Sequence, residues 1–419
     1  MDRAGRCLAG SAGFTRRHFL RVGSASLVSV GVPCLFAQRD NPSEVRGETA
    51  VKPEYLTREE NFKNVGRGKP PPSELSGPKR REVGLAPKTW QLEVVADPES
   101  DSKLDHPLIK AQGTALTWDD LMNLAEKRAV RFMHVMACTN MPGPLGMGLW
   151  EGVPLREVIW RARPTANVRR VFYYGYHNED PKQRFQSSLT FDRVLEDPRG
   201  EWPVILCYKL NGQWLTPKRG GPVRMVVPGL YANKSVKWLQ HIVLTNNPRL
   251  NDTYAEWNND TESSLKTCAS FLHVPEKVPA NTPLAVTGAA QVGVSGLRRV
   301  QYFLQPKDQP WPAEDPCFSQ AAWKDADVLP PPALWGGGLP EGKLPPGVLG
   351  FSADTGRPLE WPLRDSIVHW RAVLSDLVPG RYELRCRTID VNEMAQPMPR
   401  PLLKSGHNGI QRVSFVVEA

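Results

Sequence analysis

Cysteine is the residue type in this sequence whose chemistry, disulfide formation or metal binding, is considered first. Seven cysteines are spread over 419 residues, with no Cys-x-x-Cys pair and no Cys-x-x-Cys-His haem-attachment site. Disulfide frameworks normally use an even number of cysteines in a small chain. Here five cysteines remain if residues 1–37 are removed as a signal peptide. At least one thiol should therefore stay free, and a bound metal is one good reason for that.

Cys138 has the context that best suits a metal ligand. It ends the strand-like run 131–138, and a Gly/Pro-rich loop is expected at 142–148. Side chains alternate along a strand, so one face should carry Phe132, His134, Met136 and Cys138. The thiol would then lie at the mouth of the strand, where a loop can open space for a ligand. Taken alone, Cys138 would more often be an inert, buried apolar residue.

The N-terminal residues have the pattern of an export signal. Thr15–Leu20 has the twin-arginine form, a moderately apolar stretch follows at 22–36, and cleavage is expected near Ala37. Residues 1–37 are therefore predicted to be a twin-arginine signal peptide, with a generic signal peptide as the alternative. The mature protein should be periplasmic or otherwise exported. Because this route carries folded proteins, it favours a cofactor that is inserted before export.

The composition is that of an ordinary globular protein, with 40% apolar and 23% charged residues. The net charge is +9, and the basic residues are spread along the chain, which argues against nucleic acid as a partner. A local pocket for an anionic ligand fits this distribution better. No apolar run reaches the ~20 residues that span a bilayer, so no integral membrane segment is expected in the mature chain.

Patterning predicts the elements that would position the thiol. Residues 38–88 are polar and proline-rich, which indicates an extended arm. Strands are predicted at 90–95, 131–138, 204–210, 223–227 and 236–244. Helices are predicted to begin at Thr117, where Asp120 completes a capping box, and near Pro154.

The C-terminal third has a different pattern. After a polar crossover at 251–280, short strands alternate with Gly/Pro turns at 284–288, 300–304, 368–374, 382–390 and 414–418. This spacing is typical of an immunoglobulin-like β-sandwich, here over residues 281–419. A long insertion rich in Pro, Gly and Trp interrupts it at 305–362. The predicted class is α+β: a mixed α/β domain at 89–250, then the sandwich.

Three stretches resemble the sulfite oxidase family, and the resemblance extends over roughly residues 60–419. The first is Met136-Ala-Cys138 followed by Trp150-Glu-Gly-Val-Pro-Leu. The second runs through Leu206-Cys-Tyr-Lys-Leu-Asn-Gly, Pro222-Val-Arg-Met-Val-Val-Pro-Gly and Lys234-Ser-Val-Lys-Trp. The third lies in the sandwich, at Trp370, Tyr382-Glu-Leu-Arg and Ile389-Asp.

The resemblance implies a sulfite-oxidase-like molybdopterin domain at 89–250 with a single molybdenum–molybdopterin. Cys138 would complete the sulfur ligands of the metal and serve as the catalytic residue, since a soft thiolate suits a metal held by dithiolene sulfurs. The sandwich would be a dimerisation domain, which makes a homodimer possible. Each electron would pass to or from an external partner such as a c-type cytochrome.

The resemblance also assigns the cofactor-binding residues. Arg224 and Lys237 match positions that hold the pterin and its phosphate, and a planar guanidinium and an ammonium suit an anion. Arg219 stands where the family usually has His, Lys234 stands where it often has Arg, and Ser235 lies in the same run. Asn61 resembles part of a cofactor-contacting segment in the periplasmic methionine-sulfoxide reductase. A solvated surface charge is the alternative for each basic residue.

The sequence departs from the family around the substrate. Sulfite oxidases have arginine soon after the cysteine, whereas Thr139-Asn-Met-Pro-Gly follows Cys138 here. The family's tyrosine, a few residues past a tryptophan, has no match after Trp257, and Glu262 falls near that place. Lys63 is the candidate to replace an earlier family arginine. Because an anion such as sulfite needs several fixed cations, these losses put sulfite in doubt.

The sequence therefore predicts an exported molybdenum oxo-transfer enzyme that acts on a small molecule. A sulfoxide or N-oxide reductase is the alternative among enzymes, since a neutral substrate needs fewer cations. A cofactor-free binding protein built on the sandwich is the alternative of another class. His134 and Asn140 could line the pocket, although satisfied polar residues are the plainer interpretation of both.

Overall fold

The computed structural model describes residues 54–198, 200–247, 252–397 and 404–419. The predicted signal peptide and residues 38–53 of the predicted arm lie outside the described residues. None of the helices in the described ranges is long and apolar enough to cross a membrane.

The first part of the chain, up to Glu256, mixes strands with short helices. Its strands are β1 (Gln91–Ala96), β2 (Lys103–Leu104), β3 (Leu116–Thr117), β4 (Val130–Ala137), β5 (Pro144–Pro154), β6 (Pro164–Ala166), β7 (Arg170–Gly175), β8 (Gln186–Thr190), β9 (Ile205–Leu210), β10 (Gln213–Trp214), β11 (Arg224–Val226) and β12 (Leu239–Thr245). Its helices are α1 (Gly77–Glu82), α2 (Trp118–Arg128), α3 (Leu155–Ile159), α4 (Phe191–Leu195) and α5 (Thr253–Glu256).

The first sheet has the strand order β3-β1-β12-β7-β8. β1 and β12 run parallel, and the other neighbours are antiparallel. On β1, Leu92 and Val94 are fully buried while their neighbours are partly exposed. This alternation is the period-two pattern that predicted the strand. α2 begins as predicted, because Thr117 and Asp120 form a reciprocal capping box.

The second sheet carries Cys138. Its order is β10-β9-β5-β4, with β11 paired to β9. On β4, Phe132 and Met136 pack in one apolar cluster with Trp150, whereas Met133 and Val135 pack in another cluster on the opposite face. The predicted alternation along β4 is therefore confirmed, and it directs the Cys138 side of the strand toward Trp150.

The loop predicted at 142–148 is wrong, because β5 already begins at Pro144. The glycines of this run meet close packing. A Cβ on Gly146 would lie 2.5 Å from the Phe62 ring, and one on Gly148 would lie 2.2 Å from Leu210. These two glycines thus let Phe62 and Leu210 approach the strand. A glycine-rich stretch signals a close approach as well as a turn.

The C-terminal part forms one eight-stranded sheet that curls around its own core. Its strands are β13 (Cys268–His273), β14 (Lys277–Pro279), β15 (Leu284–Gln291), β16 (Arg299–Pro306), β17 (Lys324–Val328), β18 (Ile367–Leu374), β19 (Gly380–Ile389) and β20 (Gln411–Glu418). The order is β13-β15-β18-β17-β16-β19-β20-β14. β17 joins the two halves, which enclose Trp370, Leu384 and Phe415. This arrangement, together with the first part, confirms the predicted α+β class.

Two stretches of the second part differ from expectation. β13 pairs with β15 and β14 pairs with β20, so the sheet begins before the predicted boundary at residue 281. The insertion at 305–362 also contributes β17 to the sheet. Its later residues pack on the first part, where the Leu349 amide donates to the Arg131 carbonyl at 2.8 Å. The insertion therefore links β4 to the sandwich.

Candidate active site

A cleft with an empty volume of about 960 Å³ opens beside the end of β4. Six segments supply its walls, namely residues 62–68, Met136 with Cys138, Leu145 with Trp150, residues 175–185, residues 219–238, and Tyr254. The walls are mainly apolar, but several cations face the cleft. The arm before β1 forms one wall and is fixed to β5, since the Lys63 amide donates to the Leu145 carbonyl at 2.9 Å.

Cys138 lies one residue beyond β4 and lines the cleft. It is partly exposed, and its Sγ donates to Asn140 Oδ1 at 2.6 Å. The strand end is held from the other side as well, because the Ala232 amide donates to the Ala137 carbonyl at 2.9 Å. A thiol at a fixed strand end that opens into a large cleft can bind a soft metal.

Arg224 begins β11 and lines the cleft, although only 5% of its surface is exposed. Its guanidinium donates to the Arg219 carbonyl at 2.9 Å and to the Ser235 carbonyl at 2.6 Å, and it lies over the Trp150 ring. No carboxylate in the described ranges forms an ion pair with it. Burial lowers the pKa of Arg224 to about 10. Its charge is thus held by carbonyl dipoles and is not neutralised.

Lys237 is held in a similar way. Its Nζ donates to the Lys218 carbonyl at 2.8 Å, to Asn64 Oδ1 at 2.9 Å and to the Val65 carbonyl at 3.1 Å. Burial and the nearby charges of three arginines, Arg224, Arg219 and Arg67, lower the pKa of Lys237 to about 6. The part of this shift that comes from the arginines reflects a positive potential, which an anion would relieve.

Arg219 ties the arm to this wall. It ends the turn Pro217–Arg219, which Thr216 caps. The guanidinium donates to the carbonyls of Phe62 at 3.3 Å and Lys63 at 3.4 Å, and its Nε lies 3.3 Å from Glu59 Oε1. Arg219, Arg224 and Lys237 therefore form one cluster, which we call the cation end of the cleft.

The other predicted residues of this run differ in placement. Ser235 lines the cleft, and its Oγ accepts from the Val227 amide at 3.1 Å. Lys234 points away into the core, where its Nζ donates to the Ser188 carbonyl at 2.8 Å and lies 3.5 Å from Asp252. Asn61 is exposed and does not line the cleft, although its neighbour Phe62 does.

The structure also shows where the remaining candidate residues lie relative to the cleft. Lys63 lines the cleft with its side chain exposed. Glu262 is exposed and lies outside the cleft lining. His134 is fully buried behind the cleft, with neither ring nitrogen hydrogen-bonded in the described part of the chain. Burial and the charge of Arg224 lower the pKa of His134 to about 3, so the ring is neutral.

Sequence reasoning missed three residues around the thiol. Arg67, Phe185 and Tyr254 line the cleft with Cys138, and we call these four residues the thiol end. The resemblance places the family's tyrosine after Trp257, whereas Tyr254 lies before it on α5. Asp252 caps that helix by accepting from the Ala255 amide at 2.7 Å. An Asp followed by a helical run was the available signal for α5.

Residues 81–253 match the family model described as the oxidoreductase molybdopterin binding domain. This chain contains an oxidoreductase molybdopterin-binding domain. The match spans β1 to the start of α5, so it includes Cys138 and the whole cation end. The cofactor of the domain is molybdenum–molybdopterin.

Curated relatives match a short stretch of the chain. The nitrate reductase [NADPH] of Beauveria bassiana is 33% identical over 104 residues, and that of Neurospora crassa is 35% identical over 113 residues. The nitrate reductase [NADH] of Volvox carteri is 37% identical over 102 residues. These alignments cover 23% to 26% of this chain and only 11% to 12% of each relative.

The sulfane dehydrogenase SoxCD from Paracoccus pantotrophus has a similar fold. The TM-score is 0.54 at 17% sequence identity, over 80% of this chain and 79% of that chain. The similarity extends well beyond the molybdopterin-binding domain, so the combination of both parts of the chain recurs in a known fold.

The residues of the cleft fit this cofactor. A phosphate-bearing pterin needs fixed cations, and the cation end holds buried Arg224 and Lys237 whose charges lack a carboxylate partner in the described ranges. Asn233 lines the cleft with an Oδ1 that no described group satisfies. A metal with sulfur ligands needs a soft donor, and Cys138 supplies one at the same cleft.

Proposed function

We propose that this chain is an exported molybdenum oxo-transfer oxidoreductase, similar to sulfite oxidase, that acts on a small molecule. The observation that carries the proposal is the shared cleft, since the thiol of Cys138, the guanidinium of Arg224 and the amino group of Lys237 line the same space. Export is proposed from the twin-arginine pattern of residues 1–37. The molybdopterin domain also favours an enzyme over a cofactor-free binding protein.

The residues at the cation end and at the thiol end of the cleft have different proposed roles. When bound, the cofactor supplies oxo transfer and accepts or gives two electrons. Arg224 and Lys237 would hold its phosphate, and Ser235 positions Arg224 by accepting its hydrogen bond. Cys138 would ligate the metal as a thiolate. Phe62 and Val65 of the arm give the cleft an apolar wall.

An external redox partner completes the proposed cycle. The sequence contains no Cys-x-x-Cys-His haem-attachment site, so we propose that electrons pass singly to or from a separate protein such as a c-type cytochrome. A homodimer through the sandwich remains a prediction.

A reductase of neutral sulfoxides or N-oxides is the second candidate. The observation that favours it is the segment after Cys138, where Thr139 and Asn140 replace the arginine of sulfite oxidases. Activity with a reduced viologen dye and a neutral sulfoxide would support the reductase. Activity with an oxidising dye and sulfite would support the oxidase.

Metal analysis tests the proposal directly. Protein made with its export route intact should contain about one molybdenum per chain. Cys138→Ala should abolish turnover and leave the thermal unfolding midpoint near that of wild type, whereas the matched control Cys317→Ala in the sandwich insertion should keep turnover. A wild-type protein without molybdenum, or an active Cys138→Ala variant, would refute the assignment.

A further inference from the structure

The thiol end of the cleft carries a cation of its own. Arg67 lines the cleft with Cys138, and its charge interacts electrostatically with both the Cys138 thiol and Tyr254. The residues that the sequence offers directly after Cys138 contain no cation. The arm before β1 therefore places a positive charge near Cys138, whereas the segment directly after Cys138 places none there.

Arg67 is fixed in orientation but not neutralised. Its guanidinium carbon lies 3.3 Å from the centroid of the Phe185 ring, so the cation stacks on the ring face. In the described part of the chain it forms no hydrogen bond or ion pair. Stacking leaves the N–H groups at the edge of the guanidinium available as donors. Burial lowers the pKa of Arg67, and the neighbouring Tyr254 phenol and Cys138 thiol oppose that change.

The backbone on both sides of Arg67 is anchored. The Lys63 amide donates to the Leu145 carbonyl at 2.9 Å, and the Lys69 amide donates to Gln183 Oε1 at 2.8 Å. The second contact joins the arm to the segment that carries Phe185. The guanidinium is thus preorganised, and an anion that reached it would find its donors already in place.

Tyr254 forms the other polar wall of the thiol end. It is 6% exposed, and its hydroxyl is 3.0 Å from Thr139 Oγ1, directly beside Cys138. Its ring contacts Phe185 edge to face, with the centroids 5.9 Å apart. Phe185, Met136 and Leu145 make the remaining surface there apolar. One guanidinium and one phenol are therefore set beside apolar side chains at this end of the cleft.

We propose that Arg67 is a specificity-determining residue for the reaction proposed above, and that the substrate carries negative charge next to its reacting atom. A buried cation left without a partner is costly. A neutral analogue would leave Arg67 unpaired, so the site discriminates against it. This inference rests on the proposed function and selects an anion over a neutral sulfoxide.

Two isosteric, unreactive probes test the charge preference. Methanesulfonate is a singly charged oxyanion, and dimethyl sulfone is its neutral counterpart. Calorimetric titration of the molybdenum-loaded wild-type protein should show at least about tenfold tighter binding of methanesulfonate, as expected for a charge-assisted contact. Equal affinity for the two probes would overturn the proposal.

Three variants assign the preference to Arg67. Arg67→Gln should weaken methanesulfonate binding about tenfold and leave dimethyl sulfone within about twofold, whereas Arg67→Lys should recover part of the difference. Arg381→Gln removes the same charge from an exposed site on the sandwich and should behave as wild type.

The outcomes separate this inference from the proposed function. If the wild type contains molybdenum but Arg67→Gln keeps the full preference for methanesulfonate, the inference fails and the function stands. If Arg67→Gln loses molybdenum together with the probe, Arg67 belongs to the cofactor, and the inference again fails. If the wild type itself contains no molybdenum, the proposed function fails first. The partial recovery in Arg67→Lys excludes misfolding as the cause of the loss.

Discussion

The two ends of the cleft are built in different ways. The cation end comes from one short run of sequence, with Arg219, Arg224 and Lys237 within twenty residues of one another. The thiol end draws Arg67 from the arm, Cys138 from the end of β4, Phe185 from before β8 and Tyr254 from α5. One end is local in sequence, and the other exists only once the chain has folded.

This difference has a physical origin. At the cation end, Arg224 donates to carbonyls of the same run, and Lys237 donates both to that run and to the arm, so local backbone geometry orients much of the cluster. At the thiol end, Arg67 depends on a ring far along the chain, and Tyr254 depends on a hydroxyl beside Cys138. The first arrangement suits a constant ligand, and the second can change with the substrate.

The strongest test of the cation end is the loss of Arg224. Arg224→Met should reduce the molybdenum retained per chain by at least about tenfold, because removing a charge-assisted anchor of an anion costs several kcal/mol. Lys218→Gln removes an exposed charge from the same run and should retain the metal. The molybdenum content of each variant would be measured by mass spectrometry. Equal retention in both variants would remove Arg224 from the cofactor site.

Lys234 should separate folding from cofactor binding. Its ammonium and the Asp252 carboxylate are both buried, so Lys234→Met would leave an uncompensated charge and lower the free energy of unfolding by about 3 kcal/mol. The molybdenum content of the folded fraction should stay at the wild-type level. Denaturant titration checks the first expectation. The double variant with Asp252→Asn should recover part of the loss, and no recovery would contradict the pairing.

Lys234 also shows where sequence reasoning reached its limit. The resemblance assigns cofactor-binding residues to the run 219–237, but the direction of each side chain is not readable from the sequence. Lys234 turns toward Ser188 and Asp252, whereas Lys237 turns toward Lys218 and the arm. These partners lie on β8, before α5 and in the arm, so a contact between distant segments decided between core and cleft.

The fold was predictable to a similar depth. β4 and the start of α2 followed from period-two alternation and a capping box, which are local properties. β17 was missed inside the insertion because it has a polar sequence, Lys324-Asp-Ala-Asp-Val, and is held by pairing with β16 and β18. Pairing with neighbours on both sides outweighed the weak strand preference of these residues.

Tyr254 tests whether the thiol end acts on the substrate. Tyr254→Phe removes one hydroxyl next to Cys138, so kcat/KM should fall about tenfold while molybdenum content is unchanged. Tyr302→Phe makes the same change in the sandwich core and should have no effect on turnover. Steady-state kinetics on the loaded enzyme provide the measurement. A loss of metal in Tyr254→Phe would mean that the two ends are not separate.

Lys237 gives the smallest and most specific effect. Its pKa is about 6 in the folded protein without cofactor and ~10.4 in an unfolded chain. Between these values the unfolded chain binds one more proton, so the free energy of unfolding of the cofactor-free protein should rise with pH across this window. Below pH ~6 both states are protonated, and this contribution no longer changes with pH.

Substitution of Lys237 isolates this contribution. The pH profile of Lys237→Met should be flatter than that of the wild type between pH 7 and 9, by up to about one proton. Added inorganic phosphate should flatten the wild-type profile as well, because an anion at the cation end raises the pKa of Lys237 back toward its usual value. Urea titrations at several pH values supply the data. Parallel profiles in wild type and variant would show that the positive potential of the cation end is already neutralised without the cofactor.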